Sequence, residues 1–202
     1  RKEYKKVRSL FQKDLVVKNL KIKDFTIENT KVRYYSISAN KTKKRRPVMI
    51  FFHGGGWVVG SIETHDNICK QLADNPRFDV LSIEYSLAPE NPFPRGLEDC
   101  VSIIKWITKY KNKHNMCTNN LMLCGDSAGG NLAAILCIYN RDFLKANIIF
   151  QALIYPATLF SAKFSSKKKY DGLILSAKLM NWFENNYLPR NFRKKYKNDW
   201  KV

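Results

Sequence analysis

The stretch Gly125-Asp126-Ser127-Ala128-Gly129 joins two apolar runs of different length. Residues 121–124 are long enough for a strand, and residues 128–139 for a helix that is apolar on nearly all sides. A Gly-x-Ser-x-Gly pentapeptide in that setting fits a sharp strand-to-helix turn that holds a serine hydroxyl clear of the backbone. This constrains the fold, because strand and helix must pass so closely that only glycine fits beside the serine. A serine acting as a plain helix cap is the competing reading, but a cap does not need Gly125, Gly129 and Gly130 around it. A second glycine stretch, His53-Gly54-Gly55-Gly56, follows the apolar run 47–52, which suits a strand buried on both faces. Backbone N–H groups in such a loop can be aimed at a developing negative charge.

The rest of the chain alternates strands and helices. Tyr4, Val7, Phe11 and Leu15 share a helical face. Residues 22–27 and 32–37 alternate as a pair of strands, and residues 40–46 form a basic loop. Helices are predicted over 64–74, 95–111 and 176–187, the last with Ser176 as its N-cap. Further strands are predicted over 80–85 and 148–155, with a proline-rich loop over 87–94 and a basic loop over 157–172. This order implies parallel βαβ units in a single α/β domain over residues 1–202, with residues 1–18 as a cap or N-terminal helix.

Several stretches together resemble the hormone-sensitive-lipase group of α/β-hydrolases. They are His53 to Trp57, Tyr85 with Leu87-Ala88-Pro89-Glu90 and Pro92-Phe93-Pro94, and Gly125 to Gly130. The segment 151–156, with Trp182, Phe183, Tyr187 and Leu188 downstream, is similar to the arylacetamide-deacetylase and bacterial carboxylesterase branch. The resemblance runs over about residues 20–190. It departs from the family pattern at Glu84, where Asp is usual, and at Ser86, where Arg is usual. The fold it implies is the α/β-hydrolase fold, a mostly parallel sheet flanked by helices. Six strands are expected here against the family's eight, so the chain is expected to lack the last two strands and to be incomplete at its C-terminus.

The activity it implies is carboxylic-ester hydrolysis through an acyl-enzyme. Ser127 is the nucleophile candidate, with the start of the following helix favouring a developing oxyanion. Gly54, Gly55 and Ala128 are the expected oxyanion donors. His53, Gly56, Gly125, Asp126 and Gly129 support the two motifs, Asp126 without a proton-transfer role. No histidine follows Ser127. The family order is serine, acid, histidine, so His53 is rejected as the base and expected to hydrogen-bond its own loop. His65 is expected to line the pocket or cap a helix, and His114 to lie in a polar surface segment. The chain as given lacks the triad Asp and His and is expected to be nearly inactive. A ligand-binding protein that keeps the serine without the histidine, as plant gibberellin receptors of this family do, is the alternative.

The formal net charge is +19, carried mostly by lysines in separate loops. That could attract nucleic acid or an anionic membrane. The clusters are not interleaved with stacking aromatics, so no specific nucleic-acid partner is expected. The expected partner is a small-molecule ester, with membrane association and oligomeric state left open. The five cysteines contain no C-x-x-C pair. Cys69, Cys100, Cys124 and Cys137 read as small core residues, and no metal or cofactor is expected. No apolar run reaches the roughly 18–20 residues of a membrane span. A cytoplasmic location is the expectation, with a signal or anchor before Arg1 left open.

Overall fold

The computed structural model describes residues 2–4, 6, 14–37, 46–110, 116, 119–158 and 169–195. Most of the expected N-terminal helix, all of the 40–46 loop but Arg46, most of the 157–172 loop, His114 and Cys117 lie outside the described residues.

Among the described residues six strands form one sheet: β1 (Leu20–Ile27), β2 (Thr30–Ile37), β3 (Val48–Phe52), β4 (Asp79–Ile83), β5 (Leu121–Asp126) and β6 (Ile148–Ile154). Their order across the sheet is β1-β2-β4-β3-β5-β6. β1 and β2 form an antiparallel hairpin, and β2 pairs antiparallel with β4. From β4 onward all pairing is parallel. The helices are α1 (Asp66–Ala73), α2 (Arg95–Lys109), α3 (Ala128–Tyr139), α4 (Ala177–Tyr187) and α5 (Arg190–Lys195). The chain therefore has the α/β-hydrolase fold, a mostly parallel sheet flanked by helices, as its motifs imply.

The central strands are buried along their whole length because both faces are covered. β3 shows why its sequence lacks alternation. Val48, Ile50 and Phe52 join Leu81, Ile83, Leu121 and Leu123 on one face, against Ile103, Ile104 and Ile107 of α2 and Leu132 and Leu136 of α3. Met49 and Phe51 point the other way, to Tyr35, Val80, Cys124 and the Cys69 and Ala73 of α1. The period of two thus sorts one apolar run into two cores. Cys69, Cys100 and Cys124 are buried and Cys137 half-buried. Burial pushes the Cys124 thiol up to about 11, so it is an inert core group.

The sheet ends differently on its two sides. β6 pairs only with β5 among the described residues, and Ile149 and Phe150 are about half exposed. Ser176 caps α4 as its sequence position predicts, accepting the Leu179 N–H at 3.2 Å. A π-type turn over Asn140–Leu144 was not apparent from sequence. It is closed by Lys145 in the left-handed region, where glycine is the more familiar residue.

Candidate active site

β3 and β5 are adjacent parallel strands, with Phe52 opposite Gly125. Their C-terminal ends therefore bring both glycine motifs to one place. Ser127 follows β5 directly and adopts φ +52°, ψ −116°. A serine holds such a conformation only when its surroundings over-determine it. Here the Ser127 N–H donates to the Ile154 carbonyl at 2.9 Å, and its own carbonyl accepts from Asn131 and Ala157 at 3.0 and 3.1 Å. Its side chain makes no capping hydrogen bond to α3, so the plain-cap reading does not hold. Gly129 lies in the first turn of α3, where a Cβ would fall 1.9 Å from the Phe52 carbonyl oxygen. Gly125 meets Gly129 in the same close pass. Asn131 adds a tie that sequence reading missed, donating Nδ2 to the Ala157 carbonyl at 2.8 Å.

The loop after β3 turns over the elbow. Gly55 has φ +121°, a conformation that other residues rarely adopt. Its carbonyl accepts from Val58 and Val59 at 3.1 and 2.9 Å, which closes the turn. The Phe183 ring of α4 sits directly over Gly56. Trp57 stacks on Tyr187 at 4.5 Å, so α4 docks on this loop through two aromatics. Among the described residues the N–H groups of Gly55, Gly56 and Ala128 have no acceptor. Gly54 differs from the expectation for it: its N–H is donated to Asp126 Oδ1 at 2.8 Å.

His53 is fully buried, and its Nδ1–H donates to the Gly54 carbonyl at 2.9 Å, in keeping with a role inside the loop. Its ring stacks on Tyr85 at 4.3 Å, and the Tyr85 hydroxyl donates to the His53 carbonyl at 2.6 Å. Burial, reinforced by neighbouring His65, pushes His53 down to about 3, so the ring is neutral near pH 7. His65 stands just before α1 but makes no side-chain cap there. Instead its Nε2 lies 3.4 Å from Asp126 Oδ1, a polar contact without hydrogen-bond alignment. Burial acts to raise the Asp126 carboxyl, but His65 and the Gly54 N–H outweigh it and hold the group below its ordinary value. The Asp126–His65 contact was missed because 61 positions separate the two residues and no local spacing links them.

Comparison with known proteins gives the family of the chain. A family model described as "alpha/beta hydrolase fold" matches residues 49–200. The chain belongs to the α/β-hydrolase family, in its hormone-sensitive-lipase-like group. It is 37% identical over 142 residues to esterase LipI of Mycobacterium tuberculosis, covering 70% of this chain and 44% of LipI. Carboxylic ester hydrolase LipN of the same organism is 35% identical over 148 residues, covering 70% of this chain and 39% of LipN. Among solved structures, an esterase of Pyrobaculum calidifontis superposes with TM-score 0.83 at 33% identity, covering 94% of this chain and 64% of the esterase. The chain therefore spans less than half the length of these two M. tuberculosis relatives. No helix among the described residues is long and apolar enough to cross a membrane.

Proposed function

We propose that the protein is a serine-type carboxylic-ester hydrolase acting on small-molecule esters. The observation that carries this reading is the strained Ser127 at the β5–α3 junction, beside backbone N–H groups that have no acceptor among the described residues. In the proposed reaction Ser127 Oγ attacks the ester carbonyl carbon and its proton passes to a base. The carbonyl oxygen becomes an oxyanion held by the N–H groups of Gly55 and Ala128, each typically worth roughly 3–4 kcal/mol in the transition state. Collapse of the tetrahedral species breaks the ester C–O bond and releases the alcohol, which takes the proton. Water then attacks the acyl-Ser127 carbonyl and releases the acid.

The base is neither His53 nor His65. His53 is held neutral by burial with Nδ1 bonded to its own loop, and His65 is turned to Asp126. Among the described residues no side chain hydrogen-bonds Ser127 Oγ. The known esterases LipI, LipN and that of P. calidifontis support the substrate class.

A fluorophosphonate probe on the full-length protein tests the reading. Labelling of the wild type, its loss in Ser127→Ala, and p-nitrophenyl butyrate hydrolysis lost with it are the expected results. Ester or ligand binding with no Ser127-dependent labelling would instead favour a non-hydrolytic binding protein.

A further inference from the structure

Asp126 precedes the candidate nucleophile, yet its carboxylate is aimed across the strand ends at the loop after β3. Oδ1 accepts the Gly54 N–H at 2.8 Å, and the approach is so close that a Cβ on Gly54 would lie 2.3 Å from Oδ2. The loop is tied at other points, but from other elements. Its His53 carbonyl accepts from the Tyr85 hydroxyl, and its Trp57 carbonyl from the Ala88 N–H. Past the β3–β5 ladder, the Asp126 bond joins loop to elbow directly.

That position has a chemical consequence. One oxyanion donor, Gly55, is the residue after the tethered Gly54. The other, Ala128, is two residues after Asp126. Donors must lie within about 2.7–3.1 Å of one oxygen, and such constellations tolerate errors of only about 0.5 Å. A buried side chain therefore links the two segments, on different strands, that carry the donors. The carboxylate is itself held from behind. His65 stands on a turn where the Ser61 N–H donates to Thr64 Oγ1 at 2.8 Å and the Ile62 N–H to Glu84 Oε2 at 2.7 Å. Thr64 Oγ1 in turn lies 2.9 Å from His65 Nδ1.

We propose that Asp126 is the positioning residue of the oxyanion loop, using the Gly54 N–H to hold the Gly55 and Ala128 donors in register, with His65 backing its carboxylate. The role rests on the esterase reading, and it spends one loop N–H as a tether to aim the next.

The test compares Asp126→Ala and Asp126→Asn with the wild-type full-length protein. Asn keeps an oxygen for the Gly54 N–H, whereas Ala removes it. Two quantities are read: amide hydrogen exchange of the 53–57 segment, and kcat and KM for p-nitrophenyl butyrate. In D126A, exchange accelerates at least about tenfold, and kcat falls about 10²-fold while KM stays within about threefold. D126N keeps the exchange protection and recovers most of the lost kcat. Where D126A does not fold, D126S replaces it, since the shorter hydroxyl falls short of the Gly54 N–H. Unchanged exchange in D126A or D126S overturns the tether, as does an equal loss of kcat and protection in D126N. Accelerated exchange in D126A, within a protein that shows no Ser127-dependent hydrolysis, would keep the tether and remove the esterase reading alone.

Discussion

Replacing Gly129 with alanine tests how tightly the elbow is built. The added Cβ would lie 1.9 Å from the Phe52 carbonyl oxygen, 2.5 Å from its carbon and 2.7 Å from the His53 oxygen. All three are backbone atoms, so no flexible side chain can yield. Restoring even a tight contact near 3.0 Å moves α3 or the end of β3 by at least about 1 Å. Overpacking of this kind typically costs about 1–3 kcal/mol, and the backbone target places Gly129→Ala at the upper end of that range. A domain of this size loses roughly 2–4 °C of Tm per kcal/mol, so a fall of about 6–12 °C is expected. The same displacement separates Ala128 from the glycine loop, and a 1 Å misplacement near the reacting centre can cost about 10²-fold in rate. Differential scanning calorimetry and p-nitrophenyl butyrate kinetics on the full-length protein read both effects. Gly172→Ala is the control: its φ is +83° but nothing lies within 4 Å of the new Cβ, so only the left-handed backbone penalty of about 1–2 kcal/mol applies. A Gly129→Ala variant that melts within 2 °C of wild type (about 1 kcal/mol or less) and turns over within about threefold would show that the close pass is not required.

Three further outcomes are expected. Between pH 6.5 and about 3 the unfolded chain binds a proton at His53 that the folded protein, with this ring at about 3, does not. Stability from this group is therefore complete above pH 6.5 and lost as pH falls, by up to about 1.4 kcal/mol per pH unit. His53→Gln should flatten the slope of unfolding free energy between pH 6 and 4 relative to wild type, and parallel slopes would refute the burial argument. Tyr187→Ala removes the ring stacked on Trp57 and should cost about 3 kcal/mol, with α4 released from the glycine loop; a Tm loss under 2 °C (below about 1 kcal/mol) would mean that the stack does not anchor the helix. The 202-residue chain, purified alone, should self-associate through β6, where Ile149 and Phe150 are 52% and 51% exposed. Light scattering should show oligomers that Ile149→Lys reduces, and a monodisperse wild-type monomer would contradict this.

The parts of the fold that were legible in sequence are those whose signal is local. β3 and β5 read as strands because each is a short apolar run ended by a glycine motif, and both sit where that pattern places them. α3 read as a buried helix because it lacks a polar face, and it packs against both β5 and β6. The π-type turn at Asn140–Leu144 had no such signal, because its closing left-handed residue is Lys145 rather than glycine. The exposure along β6 follows from its place at the edge of the sheet rather than from its composition. An apolar run implies burial on both faces, but that depends on which neighbours cover the strand.

The site divides along the same line. The backbone geometry at Ser127 and Gly55 was legible because a local motif encodes it. Asp126 sits inside the same motif, yet its hydrogen-bond partner Gly54 is 72 positions away. The two family departures behave alike. Glu84 accepts the Ile62 N–H at 2.7 Å and so fixes the turn that carries Thr64 and His65. The Ser86 N–H goes to Asp99 Oδ2 at 2.9 Å, while Arg95 pairs with Asp99 Oδ1 at 3.0 Å from one helical turn earlier. Asp99 thus joins the loop after β4 to α2. In each case a carboxylate joins a loop at this end of the sheet to a neighbouring element by accepting a backbone N–H. The loops at this end of the sheet have no ladder partners of their own, so they must borrow acceptors from side chains. Motifs therefore reveal where the backbone turns sharply, and the acidic side chains that hold those turns emerge only when the strands are brought side by side.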